Sequence, residues 1–292
     1  MSLIQAIFLG FVQGVTEFLP VSSSGHLAIL QNIFGMETDG GLLFDVMLHV
    51  GTLFTVCLVY RKDIWKMIRE TIFMIRDVIY NLKTFFKNKR FDEALRYRRV
   101  VHNNYRKFVL LVIVSTIPTG IIGYVGRELI SFASTTLIVP GVCLFLTGLL
   151  LILADICEEG TKIPRDIGYS NAFLIGIAQG LATLPGLSRS GTTITACLLS
   201  GFDKRFAVKY SFIMSIPAIL GAAILELGSI GQETISASMV TNCIVGALVA
   251  AAVGYVCIKT MLVVVRRKKF KGFATYCFAV GIVAIAAHFM NF

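Results

Sequence analysis

The stretch Glu17-Phe-Leu-Pro-Val-Ser-Ser-Ser-Gly-His26 interrupts a long apolar segment with a carboxylate, a proline, three consecutive hydroxyls, a glycine and an imidazole. Pro20 and Gly25 break a helix here, the first by removing an N–H and clashing with the preceding turn, the second through its backbone freedom. An ionised side chain at membrane depth costs about 2.5–3.5 kcal/mol on insertion scales. Non-helical backbone persists inside a bilayer only where protein covers it or where it lines a water-filled cavity. The stretch therefore reads as the tip of a helix–loop–helix that dips into a membrane and holds a polar site.

A second stretch, Leu184-Pro-Gly-Leu-Ser-Arg-Ser-Gly-Thr-Thr193, has the same build. Aligned without gaps, Gly10, Gln13, Gly14, Ser22, Ser24 and Gly25 meet Gly176, Gln179, Gly180, Ser188, Ser190 and Gly191, each pair 166 residues apart. The chain carries its own broken hairpin twice.

The rest of the composition agrees with a membrane setting. Of 292 residues, 56% are hydrophobic and 15% charged, the mean hydropathy is +0.79, and apolar runs recur along the whole length; runs of roughly 18 or more apolar residues are long enough to cross a bilayer. A net charge of +10 raises nucleic acid as a partner, but 14 of the 27 Lys and Arg fall between Arg61 and Lys107. That clustering is the cytoplasmic excess of positive charge typical of membrane proteins, and no nucleic-acid partner is expected. The seven cysteines lie mostly in apolar segments without CxxC spacing, as buried small hydrophobes do. Met1–Leu19 has no basic leader and no small-residue cleavage site, so it is expected to belong to the mature fold.

The expected fold is an all-α polytopic membrane protein. A first repeat covers 1–154, with a re-entrant hairpin at 2–34, spans at 42–60, 108–125 and 136–154, and a basic excursion at 61–107 whose Trp65 and isoleucines suit a membrane surface. A linker follows at 155–169. The second repeat, 170–292, has its hairpin at 171–201 and spans at 206–228, 242–265 and 272–289, with a second basic cluster at Arg266–Lys271. Placing both basic segments in the cytoplasm makes the first hairpin enter from outside and the second from inside, each followed by three spans. That is an inverted-topology repeat.

The two tips together invite an anion. Helices beginning near His26 and Thr192 aim N-terminal N–H groups at the loops, a setting that binds phosphate. Arg189 adds a planar fork suited to two phosphate oxygens, and Ser22, Ser23, Ser24, Ser188, Ser190 and Thr193 can donate to others. A pyrophosphate fits the number of donors. Glu17 implies a Mg²⁺ or Ca²⁺ ligand or a general base, because a bare carboxylate repels phosphate. His26 is the natural proton carrier near neutral pH, and Ser23 or Ser24 is a candidate nucleophile. Plain N-capping is the competing role for the three serines. His49, inside the span 42–60, is within reach of the site but is expected to pack internally, and His102 and His288 to meet solvent and headgroups.

These residues resemble the bacterial undecaprenyl-pyrophosphate phosphatases, membrane enzymes tied to bacitracin resistance. Gln13-Gly-Val-Thr-Glu17 is similar to the family's [E/Q]xxxE; Pro20-Val-Ser-Ser-Ser-Gly-His26 to its Ser-rich loop; Pro185-Gly-Leu-Ser-Arg-Ser-Gly-Thr-Thr193 to its PGxSRSxxT. The resemblance implies hydrolysis of the lipid carrier pyrophosphate to the monophosphate for cell-wall synthesis, a divalent cation (Mg or Ca), the bacterial plasma membrane, a site opening outward, and a homodimer. By position it gives Glu17, Ser23, His26 and Arg189 the principal roles, with Ser188 and Thr193 in support and Gln13, Ser22, Ser24, Gly25, Gly186 and Ser190 lining the substrate. Gln13 stands where some members have a carboxylate, which leaves Glu17 as the main protein ligand of a metal. The rival reading is a transporter or flippase of polyprenyl phosphate lipids, which shares the architecture but has no need of a nucleophile with an acid–base partner.

Overall fold

The computed structural model describes residues 1–34, 41–91, 95–158, 160–229, 236–266 and 270–290. Residues 267–269 of the second basic cluster thus lie outside the described residues. Among the described residues the chain forms twelve α-helices: α1 (Leu3–Phe18), α2 (Ser23–Phe34), α3 (Gly41–Val59), α4 (Arg61–Phe91), α5 (Asn104–Val125), α6 (Arg127–Ser134), α7 (Ile138–Ile156), α8 (Tyr169–Leu181), α9 (Arg189–Leu199), α10 (Lys204–Ser229), α11 (Ala237–Arg266) and α12 (Lys271–Phe289).

Helices α5, α7, α10, α11 and α12 are long and apolar enough to cross a bilayer, and α3 makes a sixth where it turns by 84° into α4. The protein is a multi-pass membrane protein. By contrast α1, α2, α8 and α9 have 16, 12, 13 and 11 residues, short of the roughly 20 that a spanning helix needs. The breaks between them fall at Pro20 and Pro185–Gly186, as the sequence requires.

Two differences from the expected spans have local causes. The span expected from 108 begins at Asn104, because the Asn103 side chain accepts a hydrogen bond from the Arg106 N–H and caps the helix four residues early. The short loop expected after 125 contains the helical turn pair α6, amphipathic and mostly exposed.

Close approach of helices follows from small residues. Along α1, Gly14 lies so near α11 that a Cβ would sit 2.8 Å from the Ala250 carbonyl oxygen and from Val253 Cβ. Its counterpart on α8, Gly180, lies equally near α5, where a Cβ would be 2.7 Å from Ile122 Cβ. Lipid tails are as apolar as leucine, so membrane helices associate through such close packing rather than by expelling water. Accordingly α1 packs on α11 and α8 on α5, while α3 lies against both α11 and α10, and α12 against α7.

The basic excursion contains one 31-residue helix, α4, and a segment without regular secondary structure at 95–99. Its three acids face the protein: Asp63 takes Tyr105 and Lys209, and Glu70 and Asp77 both take Arg106. Every Lys and Arg of α4 is exposed, beside an outer stripe of Trp65, Ile68, Ile72, Ile75 and Ile79. A basic amphipathic helix set at 84° to a span suits the plane of a membrane surface.

Arg106 is buried and holds Glu70 Oε2 at 2.8 Å and Asp77 Oδ2 at 2.6 Å. Its hydrogen bonds hold both carboxyls below their ordinary range. A depressed carboxyl stabilises the fold fully above its unfolded pKa of about 4 and loses that contribution as pH falls through its lower folded value. Arg106→Lys should therefore free α4 and speed tryptic cleavage between Lys83 and Arg99 at pH 7 several-fold. Wild-type protein should show the same loosening only below about pH 4. Limited proteolysis of the purified protein, by trypsin at pH 7 and by pepsin at acid pH, checks both.

Candidate functional site

The two broken loops meet backbone to backbone. A Cβ on Gly25 would lie 2.6 Å from the Gly186 Cα, so neither loop could approach if Gly25 were any other residue. Gly186 itself has φ +92, in the left-handed region that glycine adopts freely. Ser190 Oγ adds a bond to the Leu19 carbonyl at 3.4 Å. From α7, Thr147 Oγ1 donates to the Gly186 carbonyl at 2.9 Å and accepts from the Ser188 N–H at 2.9 Å, pinning the second loop.

Each loop ends in the same cap. Ser22 Oγ accepts from the Gly25 N–H at 3.3 Å and lies 3.4 Å from Ser24 Oγ; Ser188 Oγ accepts from the Gly191 N–H at 3.0 Å and lies 3.3 Å from Ser190 Oγ. Ser22 and Ser188 are thus helix caps, and both still line the cavity. Ser22 reaches its position with φ 67, a left-handed conformation that costs a residue with a Cβ about 1–2 kcal/mol. Strain of this kind collects at functional sites, where the surroundings over-determine it.

Between the loops lies a cavity of about 340 Å³. Glu17, Ser22, Ser23, Ser24, Ser188, Arg189 and Ser190 line it, as expected, together with Asp45, His49, Thr119 and Gln179. Glu17 is its hub. Its Oε1 pairs with Arg189 Nη2 from the other loop. Its Oε2 accepts from Ser23 Oγ at 2.5 Å and from Gln13 Nε2 at 3.0 Å. Arg189 Nη1 is buried with no hydrogen-bond partner among the described residues, as are Gln13 Oε1, Gln179 Oε1 and Thr192 Oγ1. Native folds rarely bury a guanidinium nitrogen unpaired, and a phosphate oxygen would satisfy this one.

His26 is placed otherwise than its expected role as proton carrier requires. It is buried, with Nδ1 2.7 Å from the Ser22 carbonyl and Nε2 2.8 Å from the Tyr276 hydroxyl, its ring parallel to that of Tyr276. A carbonyl only accepts, so Nδ1 carries a proton toward Ser22, and Nε2 is left to the Tyr276 hydroxyl. His26 does not line the cavity among the described residues. Thr193 also points elsewhere, to Ser211 Oγ at 2.5 Å and to the Arg189 carbonyl at 2.8 Å, so it braces the turn that carries Arg189.

The expectation of a packing role for His49 is corrected. Its Nδ1 lies 2.9 Å from Gln13 Nε2 and 3.3 Å from Glu17 Oε2, on the cavity wall. Asp45, one helical turn earlier on α3, lines the same wall and accepts from Gln31. Asp45 went unread because an isolated Asp in an apolar helix has no local signature; its i, i+4 spacing from His49, which puts the two on one face, was the available sign. Gln179 was legible as the counterpart of Gln13, and both carry a buried side-chain oxygen without a partner among the described residues.

The donor set can be tested against a divalent cation. Glu17 and Asp45 bring two carboxylates to one cavity, and Gln13 Oε1 is a neighbouring acceptor without a partner. Among the described residues no three His, Cys, Asp or Glu side chains cluster as a closed metal cage. Such a partial shell fits Mg²⁺, which keeps waters and takes one or two carboxylates along with phosphate oxygens.

Comparison with known proteins agrees with this architecture. Residues 6–283 match the family described as bacitracin resistance protein BacA. The chain is 42% identical to the undecaprenyl-diphosphatase of Alkaliphilus metalliredigens over 98% of both chains. It is 41% identical to that of Methanobrevibacter smithii over 97% of this chain and 96% of the relative. Against undecaprenyl-diphosphatase 4 of Bacillus thuringiensis the identity is 36%, over 100% of this chain and 99% of the relative. With paired loops, a shared carboxylate and a match along nearly its whole length, the chain belongs to the bacitracin resistance protein BacA family.

Proposed function

We propose that this protein hydrolyses undecaprenyl pyrophosphate to undecaprenyl phosphate and inorganic phosphate, returning the lipid carrier to peptidoglycan synthesis and so conferring bacitracin resistance. The observation that carries the reading is Glu17 holding Ser23 on one side and Arg189 on the other within one cavity. Those are a nucleophile, a base and an anion clamp, each within reach of the next.

Glu17 removes the proton from Ser23 Oγ, and Oγ attacks the terminal phosphorus. The bond from that phosphorus to the bridging oxygen breaks, and the lipid monophosphate leaves with its electron pair. Glu17 gives that proton to the departing monophosphate; as a carboxylate again it takes one from the water that attacks the phosphoserine, the bond from phosphorus to Ser23 Oγ breaks, and the proton returns to Oγ as phosphate is released. Arg189 and the N-termini of α2 and α9 stabilise the charge spread over the transferring oxygens. A divalent cation held by Glu17 and Asp45 would neutralise phosphate charge when bound. His26, fixed by Tyr276 and the Ser22 carbonyl, positions the strained Ser22–Ser23 corner.

The repeat 1–154, the linker 155–169 and the repeat 170–292 form an inverted-topology pair with re-entrant hairpins. This is supported by the matched caps 166 residues apart and by the exchange in which α1 packs on α11 and α8 on α5. The cavity is lined from the first half of α3, and basic α4 follows its other end. Basic segments stay in the cytoplasm, so the site opens to the outer face of a bacterial plasma membrane. A homodimer rests on the family resemblance. The same paired loops would suit a lipid flippase, which differs by releasing no phosphate in detergent.

Arg189→Lys keeps the charge and loses the fork, and should lower kcat/KM about 10²–10³-fold. Ser23→Ala should abolish phosphate release, and a Ser23→Ala enzyme of near-normal turnover would exclude the phosphoserine route. A purified enzyme stripped with EDTA should lose activity and recover it with Mg²⁺ or Ca²⁺; full activity in excess chelator would remove the cation from the scheme. All three are read by phosphate release in detergent.

A further inference from the structure

A second cavity lies at the elbow where α3 turns into α4. It has a volume of about 220 Å³ and is lined by Tyr60, Lys204, Arg205 and Lys209, with Leu262 and Val265 of α11 on its apolar side. At about 30 Å³ per water it has room for about seven waters. It is separate from the cavity of Glu17 and Arg189. Along α3, His49 and Tyr60 are about 16 Å apart at 1.5 Å per residue, and along α10 Lys209 and Ala218 are about 14 Å apart. The two cavities therefore share α3 and α10 and occupy opposite ends of them.

Three features of the elbow cavity call for an anion. Three cationic side chains converge on it from the first turns of α10, where the helix dipole adds further positive character. Lys209 is engaged by the neighbouring carboxylate Asp63 at 2.9 Å, which also accepts from the Tyr105 hydroxyl at 3.0 Å, while Arg205 makes no ion pair among the described residues. Tyr60 is 6% exposed, and its hydroxyl is buried without a hydrogen-bond partner among the described residues. A buried hydroxyl left unpaired is costly, and this one is a donor on the wall of a basic cavity.

The geometry points to a second phosphate site at this elbow, taking a phosphate monoester through Tyr60, Arg205, Lys204 and Lys209. A phosphate monoester offers nearly two negative charges at neutral pH and three terminal oxygens, which matches a set of several N–H donors and one hydroxyl. The apolar wall of Leu262 and Val265 accommodates an attached hydrocarbon chain. The ligand is a lipid bearing a terminal phosphate or free inorganic phosphate, and the site lies at the end of α3 away from the catalytic loops. The inference uses only this cavity and stands apart from the hydrolytic reading.

The test uses the full-length protein in detergent, in an Arg189→Ala background so that the first cavity cannot bind phosphate through its fork. Binding of dioctanoyl phosphatidic acid is followed by native mass spectrometry, and binding of inorganic phosphate by equilibrium dialysis. Tyr60→Phe with Arg205→Gln should weaken binding at least tenfold; the first change deletes one hydroxyl and the second is on an exposed side chain, so the fold is kept. Loss for phosphatidic acid alone identifies a lipid headgroup, and loss for both probes identifies phosphate itself. Unchanged binding of both probes overturns the site. In the otherwise wild-type chain the same two substitutions should leave turnover within about twofold at low substrate; a tenfold fall would overturn its independence from the catalytic cavity.

Discussion

The constraint on which this structure turns is a single buried carboxylate shared by two distant parts of the chain. Glu17 is 6% exposed, and Arg189, 172 residues away in sequence, pairs with it across the meeting loops. An ionised carboxylate in a low-dielectric interior is tolerable only when paired and hydrogen-bonded. Arg189, Ser23 and Gln13 supply those partners, and Gln13 links on to His49. The loops must therefore meet for Glu17 to be buried at all. Chemistry and folding draw on the same contact, which explains why so much of the neighbouring sequence consists of small residues that let backbones touch.

The loops meet because each hairpin leans on a span far from it in sequence. Gly14 admits α11, Gly180 admits α5, and the tips then close at Gly25 and Gly186. Thr147 pins the second tip from α7, and Tyr276 pins His26 from α12. Several buried polar atoms inside the bundle have no partner among the described residues: one each on Gln13, Gln179, Arg189 and Thr192, and the hydroxyls of Tyr60 and Thr136. At the other end of the bundle the logic is electrostatic. The acids of α4 turn inward to Arg106 and Lys209, which leaves its bases and its isoleucine stripe on the outside.

Much of this was legible in the chain itself. Hydropathy placed the long helices because bilayer thickness sets their length. Pro20, Pro185 and Gly186 located the breaks because their backbone chemistry disfavours a continuing helix, whereas Gly25, expected to break the helix, lies in the first turn of α2 and serves the close approach of the loops. Helix starts were less legible: Asn103 caps α5 within a polar stretch, so hydropathy alone began that helix at 108. In the candidate site, Glu17, Ser23 and Arg189 stood out because charge and hydroxyls are anomalous in apolar surroundings.

Sequence alone determined the two interrupted hairpins, the apolar helices and the residue types fit for a phosphate, since each depends on local backbone chemistry or on the cost of polar groups in lipid. Tertiary structure decided which of those residues face one another. It turned His26 toward Tyr276, brought His49 and Asp45 to the wall beside Glu17, and set Thr193 behind Arg189. The reason is physical: a side chain's direction follows from the rotation of its helix and the neighbour it packs on, and those neighbours come from parts of the chain up to 250 residues away.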